Sequence, residues 1–577
     1  MLKLAKYLKP FSLTLGVAII LLFVQAMCDL AMPDYMSQMV NKGITNGDSG
    51  YILQKGVSML GVALISAAST VAVGFLAARI AAGMAMNLRM DVFKKVQNLS
   101  NNEFDKFSTA SLITRTTNDI TQIQTLMVLM IRMIFYAPIM GIGGVIKALS
   151  ENVSMSWIIA LAILCLLGLI ALMFTVAIPK FKIIQNLMDR LNLVTRENLT
   201  GMLVIRAFST QKFEEKRFDK ANTELTETNL FVNRTMVVMM PAMMLIMNLV
   251  SVLIVWVGAK QISAFKMEVG DMMAFMQYAM QIIMSFVMLA IMFIMIPRAS
   301  VSAQRISEVL EIEPAIKDRE NLRAFEKDFK GTVEFKGVNF RYPGAEEDVL
   351  HDINFIARPG ETTAFIGSTG SGKSTLINLI PRFYDVSEGQ ILIDGIDIRD
   401  VSRHDLREKI GYVPQKGILF SGTIESNLYY ADKSATQETL QKAADIAQAT
   451  EFISTKPEGY KAEISQGGTN VSGGQKQRLS IARALVKKAP IYIFDDSFSA
   501  LDFKTDSALR SALKSETGNS TLLIVAQRIS TIMQAEQIVV IDEGRIVGIG
   551  KHKELMENCE VYKEIALSQL SKEELGA

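Results

Sequence analysis

Cysteine and histidine are almost missing from this chain, with three of each in 577 residues. Cys28, Cys165 and Cys559 are scattered, odd in number and outside any C-x-x-C spacing, which excludes a disulfide framework and a zinc site. The histidines are His351, His404 and His552. An excess of either charge sign is missing too. The formal net charge is +2, whereas a protein that neutralises several phosphates carries a strong basic excess, so nucleic acid is excluded as the main partner. No internal repeat and no low-complexity tract is evident.

Long hydrophobic runs are abundant instead. Half the residues are hydrophobic, and 32 of the 34 methionines fall in the first 300 positions, so the front of the chain reads as membrane and the back as a soluble domain. At 577 residues the chain is too long for one core. Six apolar runs are long enough to cross about 30 Å of hydrocarbon, over 11–31, 54–78, 126–149, 155–178, 236–259 and 271–296. The lysine-rich segment before the first resembles a signal peptide, but that run is too long and no small-residue cleavage site closes it before Asp29, so it reads as a retained span. Two polar segments with helical periodicity, after the second and fourth spans, carry many Lys and Arg, including Arg79, Arg89, Lys94, Arg115, Lys180, Arg190, Arg206 and Arg217. This bias puts both loops, the N-terminus and everything after the sixth span in the cytoplasm, within a multi-pass protein of the cell membrane. The expected organisation is a transmembrane domain over 1–310, a charged linker over 311–330 and a soluble domain over 331–577, whose first strand is Gly331 to Tyr342.

Behind a buried strand ending at Ile366 stands Gly367-Ser368-Thr369-Gly370-Ser371-Gly372-Lys373-Ser374, with Thr375 following. It matches G-x-x-x-x-G-K-[ST]. The glycines let the backbone wrap a phosphate while loop N–H groups point at the anion. Lys373 should reach the terminal phosphates, and Ser374 should give an oxygen to Mg²⁺. Further on, the apolar run Ile491 to Phe494 ends in Asp495, an acidic strand end suited to ordering Mg²⁺ through water.

Val471-Ser472-Gly473-Gly474-Gln475, followed by Lys-Gln-Arg-Leu-Ser-Ile-Ala-Arg, resembles the signature of ABC transporters. The resemblance covers essentially the whole chain and is to the exporter type, a six-span half-transporter fused to one nucleotide-binding domain. It implies a membrane α-helical bundle of six transmembrane helices with long cytoplasmic extensions, followed by an α/β P-loop NTPase domain of ABC type. It also implies ATP and Mg²⁺ as cofactors. Tyr342 is placed like the aromatic that stacks on adenine, and Gln415 like the residue linking Mg²⁺ to the transport domain. Ser499 to Asp502 is placed like the loop touching a partner domain. In that family one subunit's signature closes over ATP held by the other's glycine loop, so a second half-transporter is implied as partner. Ser108 to Arg115 and Asn198 to Phe208 look like coupling helices that press on the nucleotide domains.

The chain departs from the family pattern at four positions, one of them Gln466, which stands where an acidic residue often precedes the signature. A signature that most often begins with Leu begins with Val471. The general base that usually follows the Mg²⁺ aspartate is Glu, and here it is Asp496, a weak base one methylene shorter; a displacement of about 1 Å can cost on the order of a hundredfold in rate. The switch histidine is Gln527, whose amide can donate a hydrogen bond but carries no titratable proton. This combination resembles the degenerate-site subunit of heterodimeric multidrug exporters, which implies a different chain as partner, low ATPase activity at this chain's own site, and a signature that completes the partner's.

The cargo implied is a hydrophobic or amphiphilic small molecule, with membrane lipid around it. A homodimeric lipid or peptide exporter is the alternative in the same class, and a nucleotide-gated sensory subunit that does not pump is the alternative from another. Met272, Met276, Met280, Met284, Met288 and Met292 recur every fourth residue of the sixth span, a stripe that winds around the helix and suits either a cargo cavity or a lipid-facing surface. Asp29 and Arg132 fall at or near membrane depth, which is costly unless they face a cavity, each other or an interface.

Overall fold

The computed structural model describes residues 2–570, with no side-chain description at 2–3, 173–174, 177–178, 181–182, 293–294 and 297–298. Met1 and the end of the expected soluble domain, 571–577, lie outside the described residues. The chain divides into two compact units, one formed by 1–97 with 108–312 and the other by 98–107 with 313–577.

The first unit is all helix. Its long elements are α1 (Ser12–Gln38), α2 (Ser49–Gln97), α5 (Asn118–Glu151), α6 (Ser156–Thr200), α8 (Gln211–Ser263) and α9 (Val269–Glu311). Six helices in this unit are long and apolar enough to cross a membrane. They run well past the hydrocarbon because the polar segments between spans keep helical periodicity; α2 has 49 residues and α8 has 53. Pro138, Pro179 and Pro241 lie inside helices. α5 packs along α9, α1 along α2, and α6 along α8. A core at membrane depth joins Leu30, Met140, Leu166, Met243, Ile254, Phe275 and Tyr278. The methionine stripe of α9 does wind: Met292 is buried and Met284 is half exposed.

Two short helices lie between α2 and α5. α3 (Asn101–Phe104) is closed by a capping box, with Ser100 N–H donating to Glu103 Oε2 at 3.0 Å. α4 (Thr109–Thr116) starts at Ser108, whose hydroxyl accepts from Ser111 N–H. Residues 98–107 group with the nucleotide-binding unit, and Ser108 to Arg115 groups with the membrane unit. Arg115 is buried and donates to Arg305 O at 2.6 Å and Glu308 Oε2 at 2.9 Å. The stretch Asn198 to Phe208 contains the short helix α7 (Met202–Ala207), with no buried residue.

The second unit is α/β. A four-stranded sheet has the order β2-β1-β4-β5, from β1 (Val333–Phe340), β2 (Leu350–Ala357), β4 (Glu388–Ile393) and β5 (Ile396–Asp397). A six-stranded sheet has the order β12-β11-β3-β10-β9-β6, from β3 (Thr362–Ile366), β6 (Ile410–Val413), β9 (Ile491–Asp495), β10 (Thr521–Val525), β11 (Gln537–Asp542) and β12 (Arg545–Gly550). β7 (Gly422–Thr423) pairs with β8 (Glu463–Ile464). β9 and β10 are buried at every residue, as befits parallel strands covered on both faces. Parallel register sets Val525 beside both Phe365 and Asp495. The carboxyl ends of β3, β9 and β10 therefore meet at one edge, where ligands of such sheets bind.

Candidate functional site

That edge gathers the glycine loop from β3, the two aspartates from β9 and Gln527 from the segment after β10. Gly370 and Gly372 take φ of +88° and +97°, which side-chained residues rarely adopt. Gly367 is needed for close approach, since a Cβ there would stand 1.9 Å from Ile541 O. The loop opens α10 (Lys373–Leu379).

Lys373 is buried, and its ammonium donates to Gly367 O at 2.9 Å and Ser368 O at 2.6 Å, with Ser371 Oγ at 3.3 Å. The cation thus lies back over its own loop, at the place an anion would be drawn to. Burial pushes its pKa down, against the pull of Asp496 and Asp495. Ser374 Oγ donates to Asp495 Oδ1 at 2.8 Å, so the two oxygens expected to order Mg²⁺ are adjacent. Burial pushes the Asp495 carboxyl up; the Ser374 hydrogen bond and Lys373 oppose this, and Asp496 adds to it. Convergent oxygens beside a buried ammonium in a backbone nest fit a phosphate chain with its divalent cation.

Asp496 holds the turn after β9 with φ of +46°. Its Oδ2 accepts two amides, Gln527 Nε2 at 2.9 Å and Gln415 Nε2 at 3.2 Å. Gln415, expected to link Mg²⁺ to the transport domain, has its amide nitrogen turned to Asp496. Tyr342 OH and Thr375 Oγ1 share a hydrogen bond of 2.9 Å, which sets the aromatic over the start of α10. Tyr384 packs edge-on against Tyr342 and donates to Asp105 Oδ2 at 3.5 Å, linking the 98–107 stretch to this aromatic group. No motif marks Tyr384, so sequence reasoning missed it.

The signature residues take no part in this cluster. Ser472 and Gln475 form a capping box for the helix Gly473–Val486: Ser472 N–H donates to Gln475 Oε1 at 3.1 Å, and Gln475 N–H to Ser472 Oγ at 3.3 Å. Ser472 and Gly473 are exposed, and a Cβ at Gly473 would meet nothing within 4 Å. Gly474 is tighter, with Ala500 O at 3.2 Å from such a Cβ.

Comparison with known proteins agrees with this anatomy. Residues 15–286 match the ABC transporter transmembrane region, and 350–499 match the ABC transporter domain. The chain is 38% identical over 569 residues to an uncharacterised ABC transporter ATP-binding protein of Mycobacterium tuberculosis, covering 98% of this chain and 97% of that one. It is 35% identical over 491 residues to the ATP-dependent lipid A-core flippase of Pseudomonas aeruginosa, covering 84% and 79%. Among solved structures, a bacterial Atm1-family ABC exporter with ATP bound superposes with a TM-score of 0.80 at 25% identity, covering 96% and 97%. The six spans, the glycine loop and the signature helix are those of an ATP-driven pump, and the chain belongs to the ABC transporters as an exporter-type half-transporter, a multi-pass membrane protein with a cytoplasmic nucleotide-binding domain.

Proposed function

We propose that this chain is the slow-site half of a heterodimeric exporter that moves hydrophobic or amphiphilic compounds, drugs among them, out of the cell. The observation that carries the reading is the pair of amides on Asp496 Oδ2. A general base must offer a lone pair to water within hydrogen-bond reach. Here a short carboxylate spends one oxygen on two neutral donors, neither of which can take up or release a proton at neutral pH. Such a site suits holding ATP better than turning it over.

ATP would be held by Gly367 to Thr375, with Tyr342 against the base, and Mg²⁺ by Ser374, Asp495 and Gln415. The cation, when bound, neutralises charge on the phosphate oxygens. Lys373 would leave its two carbonyl acceptors for the phosphates, and Gln527 would hold Asp496 in place.

The exposed signature supports the other half of the reading. Ser472 to Gln475 presents capped, anion-attracting backbone outward, as a loop lent to a partner's nucleotide would. Exposed apolar residues on α7 and beside it, Leu203, Val204 and Phe208, are surface for a second half-transporter to cover. The chain purified alone should show little ATPase activity and gain it with a partner carrying Glu and His at the positions of Asp496 and Gln527. Vigorous turnover by the lone chain would overturn the proposal. A second reading, a homodimeric lipid exporter, is favoured by the 35% identity to a lipid A-core flippase.

A further inference from the structure

Asp29 lies in the span of α1, and three other helices bring polar groups to it. Ser66 Oγ of α2 donates to Asp29 Oδ1 at 2.6 Å, and Tyr136 OH of α5 donates to Oδ2 at 2.7 Å. Gln281 of α9 donates its amide to Asp29 O at 3.1 Å. Ser66, Tyr136 and Gln281 stand near the middle of the apolar runs 54–78, 126–149 and 271–296. The group therefore lies within the span region, with Asp29 toward the end of its own run 11–31, and an ionisable residue there is costly and marks a site by default.

Asp29 lacks a cation among the described residues. Asp34, five positions along the same helix, has Lys147 at 2.5 Å. Arg132 stands one turn before Tyr136 on α5 but is exposed and makes no ion pair with Asp29. The two O–H contacts have the short lengths of charge-assisted bonds.

The unspent hydrogen-bonding capacity of this group is mostly acceptor, and its only charge is negative. A carboxylate has about four acceptor positions, of which the hydroxyls use two. Gln281 Oε1 is buried without a partner. Ser66 and Tyr136 have already donated their protons, and the Tyr136 ring adds a face that attracts cations. The donors left over are neutral amide N–H groups, the second hydrogen of Gln281 Nε2 and the side chain of Gln25 beside Tyr136, and none of them carries positive charge. A protonated amine meets acceptors and opposite charge.

We propose that Asp29, with Tyr136, Ser66 and Gln281 around it, binds the protonated amine of a cationic amphiphile inside the membrane unit. The inference rests on the cargo reading above and narrows it to lipophilic amines. Half-burial of Asp29 leaves the carboxylate reachable, while Ser66 is buried and fixes its orientation.

The test uses the full-length chain in lipid nanodiscs with two probes of matched hydrophobicity, a lipophilic tertiary amine and its neutral amide analogue. Affinity is measured for wild type, Asp29→Asn and Tyr136→Phe, with ATP binding and thermal midpoint as controls for folding. The amine should bind wild type about tenfold or more tightly than Asp29→Asn, whereas the amide should bind both equally. Tyr136→Phe should fall between, for the amine only. Equal amine affinity for wild type and Asp29→Asn, or a parallel loss of both probes, would overturn the site. If wild type binds the amide but gains nothing from the amine, Asp29 is wrong and the amphiphile reading stands. If wild type binds neither probe while still binding ATP, both fail.

Discussion

Gln527 donates its side-chain amide to Asp496 Oδ2 at 2.9 Å, joining the segment after β10 to the turn after β9. The two side chains thus form one hydrogen-bonded unit. A shorter acid and a neutral amide fit each other, and the contact holds the acid in a turn of positive φ.

Restoring both positions should restore chemistry. Asp496→Glu with Gln527→His is expected to raise turnover at this chain's own site by about ten- to a hundredfold, and either change alone by much less. Asp496→Asn in an assembled pair should cost less than about tenfold, against about a hundredfold or more for the partner's equivalent glutamate. Steady-state ATPase assays on reconstituted pairs check both.

Gly473→Asp should remove most turnover from the pair while leaving ATP binding at this chain's glycine loop intact. The added side chain meets open space, so folding is spared, but it brings negative charge to an anion-attracting helix start. Nucleotide binding by the single chain, compared with turnover by the pair, separates the two effects.

Gly372→Ala should fail differently, through the fold of the loop. The position has φ of +97°, and a Cβ would lie 2.7 Å from Leu350 Cδ2. Strain of this kind costs about 1–3 kcal/mol, so a lower thermal midpoint and loss of ATP binding should appear together.

Protonation of Asp495 gives a pH signature. Because burial raises its pKa in the folded state, the folded protein binds this proton more readily than the unfolded chain. Nucleotide-free stability should therefore fall as pH rises through the folded value, and rise as pH drops toward the ordinary carboxylate value. Asp495→Asn should raise the neutral-pH midpoint and flatten this slope. Mg²⁺–nucleotide affinity should run the opposite way, weakening as pH falls.

Arg115→Ala should loosen the cytoplasmic end of α9 by about 1–3 kcal/mol, since a buried guanidinium bonded to Arg305 O and Glu308 is removed. Hydrogen exchange over 300–311 in the intact chain reads this locally.

The features legible in the sequence are those with a local period or a fixed spacing. Six apolar runs announce six spans, and the glycine loop and signature place their residues where backbone geometry requires them. What stayed hidden depends on contacts between distant segments. Nothing near Gln415 says that its amide turns to Asp496, 81 positions away. Asp29 reads as an isolated charge until Ser66 and Tyr136 arrive from other helices. Tyr384 belongs to no motif and acquires meaning only beside Tyr342.

The nucleotide-binding unit takes one of its pieces, 98–107, from far upstream of the rest, which begins at 313. On a ribosome adding about 5–20 residues per second, those segments emerge roughly 10–40 s apart. During that interval the early piece has no domain to join. Its capping box, with Glu103 folded back on Ser100, satisfies helix-end donors from within the segment itself. A four-residue helix is too short to hold its shape alone in water, so this piece is fixed only once the domain that buries Ser100 and Glu103 has been made.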